Sequence, residues 1–135
     1  MPKPPLPDAV AEFLARPNYA TISTLRSDGQ PVSVPTWYGY ENGRILVNMD
    51  EGRTRLGHLR NDPRVSLSAI DPRRLDHHVS LQGRVVEIVD DEGLADIDRI
   101  ARHYTGRQYY VRDRKRVSAW IEIDRWHAWG RLKDA

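Results

Sequence analysis

Several features are missing from this sequence of 135 residues, and each absence narrows what the protein can be. There is no cysteine, which excludes a disulfide framework and a thiolate metal site. No stretch approaches the roughly 18 apolar residues that a membrane-spanning helix needs. The first residues, MPKPPLPDAV, lack the apolar run of a signal peptide. We therefore expect a cytoplasmic protein with no membrane partner.

A strong excess of charge of one sign is missing too. The formal net charge is +2, and the 19 acidic residues are interspersed along the chain with the 21 basic ones. A nucleic-acid surface concentrates positive charge on one face, so we expect no nucleic-acid partner. Arginine outnumbers lysine 18 to 3. This bias is typical of GC-rich genomes, and we expect most of these arginines on the solvated surface.

Motifs for several classes of enzyme are also absent. The sequence shows no Ser-His-Asp order, no pattern of paired buried carboxylates and no glycine-rich phosphate loop, so hydrolytic and nucleotide triphosphate chemistry has no basis. His77 and His78 are adjacent in a predicted strand, where neighbouring side chains point to opposite faces, so we expect no metal site there. If the protein is an enzyme, a bound cofactor supplies the chemistry.

The sequence does contain the alternation that is typical of antiparallel strands. Turn residues at Gly29 and at Asn42-Gly43 separate the first three strands into a meander. Three more alternating runs follow, and Gly83 within the fifth predicted strand is expected at a bulge. Six strands linked mostly by hairpins predict an antiparallel barrel rather than a parallel sheet.

Apolar residues at helical spacing predict two helices, in AVAEFLAR and EGLADIDRIARHY. With the six strands they define an α+β fold with short flanking helices. The length fits a single domain over residues 1–135, in which residues 1–7 form an extended arm.

An arginine-rich helical turn lies between the third and fourth predicted strands, in GRTRLGHLRNDP. Thr54 is predicted to cap it. Its first amides lack partners and carry partial positive charge, and Arg53, Arg55 and His58 add donors near the same end. Phosphate is the natural ligand of such an arrangement. By spacing alone, the turn could equally form surface ion pairs with its acidic neighbours.

The order of these elements resembles the pyridoxamine 5′-phosphate oxidase-like split β-barrel superfamily. The matching run is ATISTLRSDGQPVSVPTWYGYENGRILVNMDEGRTRLGHLRNDPRVSLSAID. In it, a strand ends at a D-G turn, a proline-containing strand follows, N-G precedes the third strand, and N-D-P-R-V opens the fourth. The later QGRVVEI fits as well, so the resemblance covers roughly residues 8–130. It is greatest to short actinobacterial members described as reductases dependent on the deazaflavin coenzyme F420.

This resemblance implies an FMN-binding split barrel that forms a homodimer, with two cofactors in grooves between the barrels. It places the cofactor phosphate on Arg53, Thr54, Arg55 and His58. The family often has lysine at position 55, where arginine keeps the charge and adds a bidentate fork. It often has asparagine at position 58, so the role of His58 stays open. The residues implied to line the cofactor ring are Pro35, Thr36, Trp37, Val47, Asn48 and Met49.

Other side chains have two interpretations each. His78 stands at a strand position that contacts the flavin in the oxidase branch, where the family has glutamine. Arg125 and His127 resemble an arginine-x-histidine pair that holds the substrate phosphate in the oxidase. A set of aromatic residues belongs either to the core and dimer interface or to a wall of the substrate pocket. These residues are Tyr109, Tyr110, Trp120, Trp126 and Trp129.

The resemblance implies a coenzyme F420-dependent oxidoreductase that transfers a hydride from the reduced cofactor to an unsaturated, planar small-molecule substrate. An FMN-dependent oxidoreductase of the same fold is one alternative. A non-catalytic protein that binds a flavin, a deazaflavin or haem is another. The proton that follows the hydride could come from solvent, Tyr109 or His78. The loop Arg107–Arg116 offers cations for the anionic tail of the deazaflavin.

Overall fold

The alternating runs form one antiparallel sheet of seven strands within residues 1–132, the part of the chain that the computed structural model describes. Three α-helices accompany it there, so the predicted α+β class and antiparallel sheet are confirmed. The helices are α1 (Asp8–Leu14), α2 (Thr54–Asn61) and α3 (Ala95–Thr105). The strands are β1 (Tyr19–Leu25), β2 (Pro31–Thr36), β3 (Gly39–Glu41), β4 (Arg44–Asp50), β5 (Arg64–Asp71), β6 (Arg74–Asp90) and β7 (Arg116–Ala128).

The sheet has the order β2-β1-β5-β6-β7-β4-β3, so β2 and β3 form its two edges although they are neighbours in sequence. The sequence predicted one continuous strand over the residues of β2 and β3. The run breaks at Trp37-Tyr38 because the Tyr38 side chain turns into the core, where its hydroxyl donates to the Leu14 carbonyl at 2.7 Å. This crossing from one sheet edge to the other adds the seventh strand and curls the sheet into a split barrel.

Two glycine positions shape the sheet as predicted. Asn42 and Gly43 both have positive φ, 54° and 76°, and join β3 to β4. At Gly83 the pairing of β6 with β7 shifts register. A Cβ built there would lie 2.2 Å from the Glu122 carbonyl oxygen, so the two backbones approach more closely than any side chain allows.

The main core fills the barrel. Alternate residues of the central strands point into it, and α1 and α2 contribute Phe13, Leu14, Leu56 and Leu59. Val47 of β4 is fully buried in this core.

Helix α3 packs on the opposite face of β4, outside the barrel. Leu46 is fully buried on that face, and Ile97, Ile100 and Ala101 form the buried stripe of the helix. Gly39 of β3 lies next to this contact, and a Cβ built there would be in ordinary van der Waals contact with Leu46 and Ile100, at 3.8 and 3.9 Å. Strand β4 is therefore covered on both faces, which explains its continuous buried run.

The N-terminal arm lies against β7. The Trp126 amide donates to the Pro2 carbonyl at 3.0 Å, and its indole Nε1 donates to the Lys3 carbonyl at 3.3 Å. No helix in the described part of the chain is long and apolar enough to cross a membrane.

Candidate functional site

A cavity of about 700 Å³ opens between β1, β2, the end of β4, α2, α3 and the segment before β7. It has a cationic end near α2 and an aromatic end near the chain crossing. Its lining residues are Tyr19, Ala20, Thr24, Val32, Val34, Pro35, Thr36, Trp37, Asn48, Met49, Arg53, Thr54, Arg55, His58, Ile97, Ile100, Tyr109, Tyr110 and Arg116. A concave, mostly apolar pocket with a few grouped polar side chains is the usual form of a ligand site.

Three arginines at the cationic end have no acidic partner. Within residues 1–132, neither Arg53, Arg55 nor Arg116 forms an ion pair with a carboxylate, whereas most arginines near the cavity do. The Arg55 Nε is buried and donates to no described atom. A buried donor without an acceptor is costly, so this end of the cavity is built for an anion.

The electrostatics of Arg55 follow from this crowding. Burial, and next the charges of Arg53 and Arg116, lower the pKa of the Arg55 guanidinium. The ordinary arginine pKa is so high that the group stays charged, and the shift reflects burial first and repulsion by its two cationic neighbours second. A bound anion would relieve that repulsion.

Helix α2 begins one residue earlier than predicted. Arg53 is its N-cap residue, with extended φ of −69° and ψ of 135°, and Thr54 is its first helical residue. The expected cap by Thr54 is therefore wrong, because a helical backbone turns the Thr54 side chain away from the free amides. No side chain caps this end. The Leu56 amide donates to the Arg53 carbonyl at 3.1 Å, so the Thr54 and Arg55 amides are the ones that stay available to a ligand among the described residues.

His58 is oriented by β1. Its Nδ1 lies 3.0 Å from the Thr24 hydroxyl. This hydrogen bond fixes the imidazole ring at the cavity wall, one helical turn from Arg55.

Asn48 lies at the centre of a polar network on the α3 side of β4. Its Nδ2 donates to Asp91 Oδ2 and to the Ser118 hydroxyl, both at 3.0 Å. Its Oδ1 accepts from Arg116 Nε at 2.7 Å. Asp91 also accepts from the Asp96 and Ile97 amides at 2.8 and 2.9 Å, and thereby caps α3.

The aromatic end of the cavity is rigid. Trp37 stacks on Tyr104 with a centroid distance of 5.1 Å and an interplanar angle of 9°. The Tyr104 hydroxyl donates to the Asn18 carbonyl at 2.6 Å, which holds this ring in place. Tyr109 meets Trp37 edge-on at 6.3 Å, and the Arg116 guanidinium lies 4.6 Å from the Tyr109 ring. Such a wall suits a planar ligand.

The cavity brings together nine of the eleven residues that the sequence placed at a cofactor site. These are Pro35, Thr36, Trp37, Asn48, Met49, Arg53, Thr54, Arg55 and His58. The Val47 side chain points into the barrel core instead, on the same face of β4 as Met49, which reaches the cavity because it lies nearer the end of the strand. His78 lies on β6 away from the cavity of its own chain, and its carbonyl accepts from the Trp129 amide at 2.9 Å. The cofactor contacts of all eleven stay predictions.

The other candidates divide between cavity and framework. Tyr109 and Tyr110 line the cavity. Trp126 is part of the core, and Trp120 lies under Arg44, 4.6 Å from its guanidinium carbon. Neither Arg125 nor His127 lines the cavity, and Arg125 donates to the Met1 carbonyl at 3.3 Å. Within the described residues, no group of three or more histidines and carboxylates could hold a metal ion.

Most cations of the loop Arg107–Arg116 are already paired. Arg112 binds Asp98 at 2.6 Å, Arg114 binds Asp50, and Lys115 lies 3.4 Å from Asp90. Fewer cationic side chains of this loop are therefore free to attract an anionic cofactor tail than the number of its arginines and lysines suggests.

Several residues of the cavity wall were not predicted from the sequence. The sequence predicts Arg116 as the end of the preceding loop, and it gives Tyr19 no role beyond its place in a strand. Arg116 reaches the cavity through the pairing of β7 with β4, two segments far apart in sequence, and Tyr19 reaches it at the start of β1. An arginine that opens a strand is a weak pattern, and it gains meaning only once the pairing is known.

The outer side of β2, β1, β5 and β6 carries an uncharged face. Two rows cross it in register, and their side chains are exposed or half-buried. The hydroxyls of Ser23 and Ser33 lie 2.6 Å apart, and those of Ser68 and Ser80 3.4 Å apart. The rows are Ser33, Ser23, Ser66 and Gln82, then Pro35, Thr21, Ser68 and Ser80. In a chain in which 30% of residues are charged, eight neutral neighbours form an unusual surface.

The split barrel and its arginine-lined cavity define a protein of the flavin-binding split-barrel class. The family model for pyridoxamine 5′-phosphate oxidase matches residues 6–130, so the chain belongs to that family, as its resemblance predicted. The family is one of oxidoreductases. No curated protein matches the chain in sequence.

Solved structures share this fold. An F420 reductase superposes with a TM-score of 0.82 at 23% identity, over 90% of this chain and 98% of that chain. Rv2991 of Mycobacterium tuberculosis superposes with a TM-score of 0.73 at 27% identity, over 100% of this chain and 92% of that chain. HupZ of Group A Streptococcus has a TM-score of 0.65 at 19% identity, over 92% and 94% of the two chains.

Proposed function

We propose that the protein is a cytoplasmic coenzyme F420-dependent oxidoreductase of actinobacterial type that acts on an unsaturated, planar small molecule. The observation that carries the proposal is the set of three unpaired arginines, with the orphaned Arg55 Nε, at one end of a cavity whose other end is aromatic. A ligand with a phosphoryl group and a planar ring satisfies both ends. The name of one fold relative, F420 reductase, agrees with this cofactor.

The residues present fit such a cofactor. Arg53, Arg55 and the free amides at the start of α2 would hold its phosphate, and His58 would contribute the ring nitrogen that Thr24 does not occupy. When bound in its reduced form, a deazaflavin supplies a hydride to an unsaturated acceptor. Trp37, Tyr109 and Tyr110 would orient planar groups and exclude water from the cavity. Tyr109, which lines the cavity, is the better placed of the two proposed proton donors within one chain, since His78 lies elsewhere.

A homodimer completes this proposal. The two rows of the uncharged face contain no ionic group, which suits the packing of a second sheet. Pro35 belongs both to this face and to the cavity lining, so a partner seated here would border the site. Such a partner could also bring its own His78 toward the cavity.

The test is a calorimetric titration of the protein with coenzyme F420 and, separately, with FMN. We expect F420 to bind more tightly and Arg55→Ala to weaken it about 10- to 100-fold, because a hydrogen bond to a charged group contributes about 1.5–3 kcal/mol. Arg73→Ala is the matched control, since Arg73 is exposed in the turn after β5 and does not line the cavity.

Each other outcome changes the assignment. Binding of FMN alone would make this an FMN protein, because a phosphate site does not distinguish the two cofactors. Tight binding of F420 whose reduced form stays stable with every acceptor tried would indicate a non-catalytic carrier. Binding of neither cofactor, or equal affinity of Arg55→Ala and the unaltered protein, would contradict the proposed site.

A further inference from the structure

Arg116 differs from the two arginines of the α2 turn in how it is held. It opens β7 and lines the cavity from a different element than the α2 turn, and its charge reaches Arg55 closely enough to help lower the pKa of that side chain. No ion pair joins it to a carboxylate among the described residues. Its charge helps to lower the pKa of Asp50, its pairing partner on β4, but Asp50 forms its ion pair with Arg114.

Two neighbours fix the Arg116 guanidinium. The Asn48 Oδ1 accepts from Nε at 2.7 Å, and the Asn48 carbonyl lies 3.5 Å from Nη2. The Tyr109 ring lies 4.6 Å from the guanidinium carbon. Among the described atoms, Nη1 has no acceptor. The side chain is therefore held by its Nε edge and one face, which leaves its Nη1 edge for another acceptor.

The Asn48 amide is itself oriented by hydrogen bonds. Both of its Nδ2 hydrogens are used, one by Asp91 and one by Ser118. This fixes which end of the amide is the oxygen, since Asp91 as a carboxylate can only accept. The amide oxygen is thereby aimed at Arg116, and Asn48 has no donor left for an anion.

We propose that Arg116 is a third ligand-binding arginine of the cavity, which contacts the phosphoryl group together with Arg53 and Arg55, and that Asn48 is its positioning residue. This inference rests on the proposed function, because it concerns the same anion. It changes the predicted role of Asn48, which acts through Arg116 instead of touching the cofactor ring with its side chain. The chain Asp91, Asn48, Arg116 thus connects the start of α3 to the anion.

The test compares ligands with and without a phosphate, and the FMN–riboflavin pair, which differs by the phosphate alone, is the decisive one. FMN is paired with riboflavin, and coenzyme F420 with its phosphate-free deazaflavin chromophore, and the dissociation constant of each is measured by calorimetry. The measured quantity is the preference for the phosphorylated member of a pair. We expect Arg116→Gln to reduce that preference about 10-fold and to leave the phosphate-free ligands unaffected. Arg73→Gln, which removes the same charge outside the cavity, should change neither.

A double-mutant cycle separates positioning from direct contact. Asn48→Ala should also reduce the phosphate preference, but in the Arg116→Gln background it should have little further effect, since it acts through Arg116. A loss of equal size in both backgrounds would mean that Asn48 touches the ligand itself, and would overturn its positioning role. Thermal unfolding of each variant without ligand shows whether it is folded. If Asn48→Ala does not fold, Asn48→Ser is used in its place, because the shorter side chain cannot reach Arg116.

Failure of this inference can be distinguished from failure of the proposed function. If the unaltered protein shows no preference for phosphate in either pair, and inorganic phosphate does not raise its unfolding temperature, the anion site itself is wrong. If the unaltered protein prefers phosphate and Arg116→Gln retains the full preference, the site stands and Arg116 does not belong to it.

Discussion

At the scale of single residues, what a position tolerates depends on the backbone around it more than on its type. Gly83 and Gly57 are both glycines within regular structure, yet their surroundings are opposite. A Cβ at Gly83 would lie 2.2 Å from a backbone oxygen, whereas a Cβ at Gly57 on α2 would meet nothing within 4 Å. The first glycine is required by the bulge, and the second is not required by its surroundings.

We therefore predict that Gly83→Ala lowers the free energy of unfolding by about 3 kcal/mol, at the upper end of overpacking costs, because β7 backbone must move. Gly57→Ala is the matched control and should raise it by up to about 1 kcal/mol through helix propensity. Urea denaturation of both variants measures the difference. Equal stability of the two would show that the close contact of β6 with β7 yields easily.

At the scale of elements, the segment between α3 and β7 lacks regular structure but is tied to α3 by one carboxylate. Asp98 Oδ1 accepts from the Tyr109 amide at 3.0 Å and from Arg112 Nη1 at 2.6 Å. The Arg112 hydrogen bond, with help from the Tyr109 amide, holds the pKa of Asp98 below its ordinary value. Since Tyr109 lines the cavity, Asp98 fixes part of the aromatic wall.

The stability contributed by Asp98 should depend on pH. Because its pKa is lower in the folded chain, the contribution is complete above the unfolded value of about 3.9 and is lost as pH falls through the folded value. Asp98→Asn should thus cost about 1 kcal/mol near pH 7 and progressively less below about pH 4. Asp28→Asn, in an exposed pair with Arg26, should change stability little at any pH. Thermal unfolding across this pH range checks both, and a cost of Asp98→Asn that persists in acid would contradict the ionic origin.

At the scale of the whole molecule, the proposed dimer makes the uncharged face an interface. A charge placed at its centre should prevent association. We expect the unaltered chain to show twice its 15.6 kDa mass by light scattering, and Ser68→Arg to show the single mass. Ser27→Arg, in the exposed turn between β1 and β2, should remain dimeric. A monomeric unaltered chain would remove the dimer from the proposal.

The features that could be predicted from the sequence are those that depend on residues close to one another in the chain. The hairpin at Asn42-Gly43 and the bulge at Gly83 follow from a few neighbouring residues, and both were predicted. The break at Trp37-Tyr38 was not, because it depends on Tyr38 reaching Leu14, in another element. The same holds within the cavity. The α2 arginines are contiguous and were found, whereas Arg116 becomes part of the site only through the pairing of β7 with β4.

The position of Trp37 also determines what light can report about this protein. Of the four tryptophans, Trp37 alone lines the cavity, while Trp126 is buried in the core and Trp120 lies beneath Arg44. A ring that stacks on Trp37 would quench that indole by direct contact, and the three others by energy transfer alone. Replacing Trp37 with phenylalanine would therefore remove the contact-quenched part of the emission and reveal where in the cavity the ring lies.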